Sequence, residues 1–176
     1  MTTRLPEKII LPGVFMRIFG VGTLITGDSC SGKSELALDL IQRGHALIAD
    51  DAPEFHKNMK QQVIGTCPAL LQNYLAVRGL GILDIKQMFG KQAVKHQHAL
   101  QLIIALSSNM TLNEKTLLHG TQSKQKVLNI TIPKIQLTQS SAHLCTLIET
   151  ATKQFLLAQQ GHNATIDFIN RQQVSL

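Results

Sequence analysis

The sequence predicts an α/β domain built around a phosphate-binding loop. Three observations carry that prediction. The segment Gly27-Asp28-Ser29-Cys30-Ser31-Gly32-Lys33-Ser34 has the spacing G-x-x-x-x-G-K-[ST] and stands between an apolar run, Val21 to Thr26, and a helical pattern, Gly32 to Arg43. A second apolar run, His45 to Ala49, follows one crossover later and ends in Asp50-Asp51. Two further helical segments, about Ala142 to Gln159 and Ala164 to Gln172, close the chain with Gly161 between them.

Taken in order, Met1 to Pro12 reads as an irregular lead-in, because Pro6 and Pro12 oppose regular structure. Residues 13–176 then read as a single P-loop domain. Val14 to Phe19 alternates and ends at Gly20, and Val21 to Thr26 feeds the loop, so the two predict a hairpin or neighbouring strands. Leu36, Ala37, Leu40 and Ile41 recur at helical spacing behind the loop, with Gly44 as the C′ stop. Val63 to Ile64 predicts a short strand, and Pro68 starts a helix over Ala69 to Tyr74. The break Arg78-Gly79-Leu80-Gly81 precedes Ile82 to Phe89, and Leu100 to Leu106 predicts a core strand. Ser107 to Gln125 is polar and loop-rich, and Val127 to Ile132 forms a strand that Pro133 stops.

The loop's residue types match its chemistry. Gly27 and Gly32 permit dihedrals that a Cβ opposes, Lys33 brings a positive charge to the outer phosphates, and Ser34 offers a hydroxyl to Mg²⁺. Asp28, Ser29, Cys30 and Ser31 contribute the backbone that wraps the anion, and the helix dipole adds to it. Asp50 and Asp51 lie where open α/β proteins put their chemistry. If the strand runs through them their side chains point oppositely, one toward the metal or its bound water, the other toward an acceptor hydroxyl as base. Arg78, flanked by Gly79, either aims a guanidinium at a phosphate or partner, or serves a tight turn. His96 and His98 have no third ligand at a metal-site spacing, and His45, His56, His119, His143 and His162 read as surface or packing residues.

At 176 residues and 44% apolar composition the chain suits one soluble domain. Its longest apolar stretch, Ala99 to Leu106 with Gln101 inside it, falls far short of the ~20 residues of a membrane span. The start lacks the pattern of a signal peptide, which leads to an expectation of a cytoplasmic protein. Three widely spaced cysteines, Cys30, Cys67 and Cys145, predict free thiols rather than a disulfide framework. The net charge of +6 and pI near 9.4 fit an anionic ligand or an acidic partner. The lysines are scattered, and one Tyr with no Trp leaves little for base stacking, so no nucleic-acid partner is expected.

These segments together resemble the C-terminal catalytic domain of HPr kinase/phosphorylase, the bacterial P-loop enzyme that phosphorylates a serine of the phosphocarrier HPr and can reverse that reaction. The resemblance rests on Gly20 to Ser29 with Gly32-Lys33-Ser34-Glu35, and on Arg43-Gly44-His45 with Ala49-Asp50-Asp51. It extends through Val77-Arg78-Gly79-Leu80-Gly81-Ile82, Met88-Phe89-Gly90 and Ala93-Val94. It ends with Ile130 to Pro133, Ile148-Glu149 and Asn163-Ala164. It implies a phosphoenolpyruvate-carboxykinase-like mixed sheet, ATP and Mg²⁺ as cofactors, an HPr-like phosphocarrier as partner, a hexamer, and a role in phosphotransferase-system regulation. By resemblance Asp50 takes the serine proton, Asp51 assists it, and Ser34 and Asp51 face the metal.

The chain departs from the family pattern at three places. Pro12 stands where the family has His, Ala76 where it has Glu, and Lys134-Ile135-Gln136-Leu137-Thr138 replaces an arginine-rich turn. Other readings the sequence leaves open are a catalytically weakened nucleotide-binding regulatory module, and a kinase of another protein or of a small-molecule hydroxyl.

Overall fold

The computed structural model describes residues 7–29, 31–108 and 120–174. Their centre is β9 (Gln97–Ser107), which pairs in parallel with β3 (Val21–Thr26) and, from Ile103 onward, in parallel with β11 (Ile130–Thr138). β2 (Val14–Ile18) pairs antiparallel with β3 through the Phe19-Gly20 turn, where both residues have positive φ as a tight hairpin requires. Outside β2 lies β4 (Ala46–Ala49). Toward the other edge run β6 (Val63–Thr66), β5 (Glu54–Lys57) and β1 (Lys8–Ile10), each antiparallel to its neighbour. β10 (Gln122–Val127) pairs antiparallel with β11. Parallel and antiparallel ladders thus share one sheet, which is the mixed α/β architecture expected.

Side-chain alternation divides the core between the two faces of this sheet. Val14, Met16 and Ile18 of β2 join Val21, Ile25, Leu102, Ile104 and Leu106 on the face covered by helices. Phe15, Leu24, Leu100 and Ile103 join Phe55, Val63, Val127 and Ile132 on the other. Leu100 and Leu102 share parity yet face opposite ways, because the β3–β9 register shifts at Gln101. The Gln101 side-chain carbonyl accepts the Gly22 N–H at 3.2 Å, supplying an acceptor at the irregular step.

On the helical face lie α1 (Lys33–Gln42) and α3 (Leu144–Gln159), with α4 (Ala164–Val174) following. α1 buries Leu36, Ala37, Leu40 and Ile41, the positions the 3.6-residue period selects. Its C-terminus is a Schellman turn: Gly44, at φ +92, donates its N–H to Ile41 O and His45 donates to Leu40 O. A hairpin of β7 (Tyr74–Val77) and β8 (Gly81–Asp84) leads into the short α2 (Ile85–Phe89), and buries Leu75 and Val77 in the same core.

Several expected elements differ. Part of the lead-in is the strand β1, whose residues pair with Glu54, Phe55 and His56. The helix expected over Ala69 to Tyr74 is only a 3₁₀ turn at Ala69–Leu71 followed by β7, since Tyr74 to Val77 alternates and finds β8 as a partner. Pro133 does not stop a strand. β11 runs through it because pairing with β9 begins only at Lys134, so at Pro133 that side of the strand has no ladder partner among the described residues and a missing N–H costs no bond to them. Residues expected to be loop up to Gln125 already form β10 from Gln122, and residues 109–119 lie outside the described part.

The contact most sensitive to added volume is Gly65. A Cβ there would stand 2.6 Å from Phe55 Cε1 and 2.7 Å from Phe15 Cδ1, two fully buried rings that meet edge to face at 5.2 Å. Gly65→Ala is therefore expected to destabilise the fold by about 2 to 3 kcal/mol, the cost of forcing an aromatic pair apart, measured by urea unfolding.

Candidate functional site

The phosphate loop joins β3 to α1 at the C-terminal end of the parallel β3–β9 pair. Gly32 has φ +75, a left-handed conformation that glycine adopts without a Cβ penalty. No side-chain cap is seen at this helix start, which leaves first-turn amides of α1 for an anion. Gly27 is needed for a different reason than expected. Its φ is not positive; an added Cβ would lie 3.1 Å from Leu106 Cβ and 3.2 Å from Leu106 O, so the loop can leave the sheet there only without a side chain.

Lys33 folds back over its own loop. Its Nζ donates to Asp28 O at 2.7 Å, to Gly27 O at 3.1 Å and to Ser31 Oγ at 3.1 Å. The ammonium is thus held at the loop by neutral oxygens, from which phosphate oxygens can draw it. Asp28 and Ser29 are exposed, and Cys30 lies outside the described residues.

The acidic pair closes the other side. β4 ends at Ala49, as the sequence predicts, so the strand does not run through Asp50 and Asp51 and its alternation does not set their directions. Asp51 turns the chain at φ +63 and is exposed, while Asp50 is 7% exposed. Ser34 Oγ donates to both Asp50 carboxylate oxygens, at 3.2 and 3.4 Å. The backbone N–H of Ala76, brought in by β7, is a second donor to Asp50. Burial, with the neighbouring Asp51 charge, pushes the Asp50 carboxyl up to about 6 despite these donors. Beside it, burial and the Asp50 and Glu54 charges raise the Cys67 thiol to about 11, leaving it protonated and inert.

Two positions singled out as departures lie at this same place. Leu11 N–H donates to Pro53 O and Gly13 N–H to Asp51 O, so Pro12 is pinned between two bonds to the acidic turn. Ala76 is one hydrogen bond from Asp50. Arg78, by contrast, is exposed in the β7–β8 turn and makes no hydrogen bond to a described residue of the phosphate loop. Among the described residues no group of three or more His, Cys, Asp or Glu side chains is gathered to hold a metal ion, and no helix is long and apolar enough to cross a membrane.

Sequence reasoning missed one contact of this loop and one pairing at the other end of α1. His45, read as a surface or packing residue, is buried, with Nε2 at 2.8 Å from Glu149 Oε1, while Arg43 Nη1 donates to Glu149 Oε2 at 3.1 Å. This pairing locks the far end of α1 to α3; the juxtaposition of a basic pair with a distant lone glutamate gave no local signal. Gln139, one residue beyond the segment Lys134 to Thr138, donates its side-chain amide to Ser31 O at 3.1 Å.

Residues 3–172 match the family described as the HPr Serine kinase C-terminal domain. The HPr kinase/phosphorylase of Stenotrophomonas maltophilia (strain K279a) is 45% identical over 173 residues, covering 95% of this chain and 54% of that protein. That of Xanthomonas campestris pv. campestris (strain B100) is 44% identical over 171 residues, with the same coverage. The solved structure of the HPr(Ser) kinase/phosphatase from Coxiella burnetii superposes with a TM-score of 0.80 at 35% identity, over 86% of this chain and 99% of that one. The chain spans about half the length of the curated relatives it matches.

Proposed function

Because the chain belongs to the HPr serine kinase C-terminal domain family, we propose that it transfers the γ-phosphoryl group of ATP to a serine hydroxyl of an HPr-like phosphocarrier, and can run the reverse phosphorolysis. The observation that carries the reading is the Ser34–Asp50 contact. It joins the last residue of a phosphate loop to a carboxylate whose affinity for protons is set near 6, so that Asp50 is ionised at neutral pH yet basic enough to accept a proton. Lys33 and the loop amides, from Gly27 to Ser34, hold the phosphates. Asp50 takes the serine proton, and Asp51, exposed next to it, keeps the turn negative and assists.

The residues fit a divalent cation. Ser34 and the two aspartates are hard oxygen donors, their mutual repulsion is relieved by a positive ion, and Mg²⁺ bound with a nucleotide usually needs only one or two protein oxygens besides phosphate. Ser34 and Asp51 would hold Mg²⁺, which would supply charge neutralisation on the phosphates. The cytoplasm, a hexameric assembly and regulation of a phosphotransferase system are parts of the same proposal. Transfer of labelled γ-phosphate from ATP to a purified HPr-like carrier tests it; ATP binding without any transfer to such a carrier rejects the kinase reading.

Ala76 bears on how well the site holds its cation. With the backbone of residue 76 already bonded to Asp50, a carboxylate introduced there enters the same cluster. Ala76→Glu is expected to lower the Mg²⁺ concentration for half-maximal transfer several-fold, read from Mg²⁺ titrations at saturating ATP. An unchanged or raised requirement would show that the existing oxygens suffice.

A further inference from the structure

The phosphate loop is held from outside by a residue that no motif contains. β11 pairs in parallel with β9 as far as Thr138 and Ser107, and the next residue, Gln139, donates its backbone N–H to Ser107 O at 3.0 Å. Its side chain therefore starts from a point the sheet determines. From there Nε2 donates to Ser31 O at 3.1 Å, across 108 residues of sequence. Ser31 is fixed a second time by its hydroxyl, which accepts from Lys33 Nζ.

The direction of this bond has a consequence for the ligand. In a trans peptide the C=O and N–H point in opposite directions. Ser31 C=O and Gly32 N–H belong to one peptide unit, so holding the carbonyl against Gln139 turns the Gly32 N–H to the opposite side. A loop that wraps an anion presents its N–H groups inward and needs its carbonyls satisfied elsewhere. Gly32, at φ +75, takes up the next rotation and sends the chain into α1. We propose that Gln139 is a positioning residue for the nucleotide phosphates, orienting the Ser31–Gly32 peptide so that its N–H faces them before the nucleotide arrives. The inference rests on the proposed function only in taking the ligand to be a nucleotide; it is indifferent to the acceptor.

Isothermal titration of the full chain with Mg·ADP tests it, together with the ¹H–¹⁵N signal of Gly32. Gln139→Met keeps the side chain's length and apolar contacts but removes the donor, and Gln139→Glu keeps its shape but presents an acceptor to a carbonyl. Met is expected to raise the Kd for Mg·ADP about five-fold, the worth of one net hydrogen bond, and Glu to raise it further. The melting temperatures of the ligand-free variants should stay near that of the parent chain, and the Gly32 amide should shift already without nucleotide. In transfer assays KM for ATP rises more than kcat falls. Parent-like Kd values in both variants overturn the inference, and so does recovery in Met of everything that Gln139→Ala loses, which would mark mere packing. Parent protein that binds Mg·ADP but phosphorylates no HPr-like carrier overturns the kinase reading and leaves this inference standing. Parent protein that binds no nucleotide overturns both.

Discussion

Asp50→Asn is expected to lower phosphoryl transfer by about 10² to 10⁴-fold while making the protein more stable at neutral pH. Both effects come from one environment. The loss of turnover follows because the amide cannot take the serine proton, although it can still accept from Ala76 N–H and stand beside Ser34. The gain in stability follows from linkage. Asp50 titrates at about 6 when folded against 3.8 ordinarily, so between those values the folded chain binds more protons than the unfolded one. Stability therefore falls as pH rises from about 4 to 6, and the deficit persists above 6. Two pKa units correspond to roughly 2 to 3 kcal/mol, already net of the Ser34 and Ala76 bonds to the charged form, and Asn removes this penalty. The melting temperature of Asp50→Asn should thus exceed that of the parent at pH 7.5, with the gap closing toward pH 4. In the parent, kcat/KM should fall as pH drops through about 6, and the residual activity of Asp50→Asn should lack that acid limb. A variant that is inactive and also less stable at pH 7.5 would mean that Asp50 is chiefly a structural partner of Ser34.

How much of this was legible beforehand depends on whether the cause was local. The phosphate loop, α1 with its Gly44 stop, and the strand ending at Ala49 are visible in the sequence because each depends on residues within about ten positions of one another. Turn chemistry, helical period and apolar run act at that range. The helix expected over Ala69 to Tyr74 shrinks to a turn at Ala69–Leu71, and β7 has no signal of its own because what makes Tyr74–Val77 a strand is its pairing with Gly81–Asp84. Pro133 was misread for a similar reason: whether a proline ends a strand depends on whether its missing N–H has a neighbour, which is a property of β9 and not of β11. The acidic pair follows the strand end that the sequence shows, but its shape is not legible there. A positive φ at Asp51 separates the two carboxylates by burial rather than by strand alternation, and that separation is what lets one of them be tuned. His45–Glu149 and Gln139–Ser31 span more than a hundred residues each, so no window along the chain contains both partners.

Lys33→Met is expected to lower transfer by about 10³-fold or more, and unlike Asp50→Asn to weaken ATP binding as well. Before nucleotide binds, the Lys33 ammonium donates to two carbonyls and one hydroxyl of its own loop, at 2.7 to 3.1 Å. Those bonds hold the loop in shape, and none is to a carboxylate. Exchanging neutral carbonyls for phosphate oxygens therefore breaks no ion pair, and the charge gained is greatest when negative charge builds on the transferring group. A 10³-fold loss corresponds to about 4 kcal/mol of transition-state stabilisation. Lys33→Arg is expected to recover little of it, because a planar guanidinium cannot reproduce the three diverging bonds that a compact ammonium makes to Gly27, Asp28 and Ser31. Single-turnover transfer and equilibrium binding of ATP separate the two contributions. Lys33→Met that binds ATP as tightly as the parent but does not transfer would assign the lysine to the transition state alone. A variant transferring within ten-fold of the parent would remove Lys33 from the chemistry and leave the loop amides and the α1 dipole to hold the phosphates.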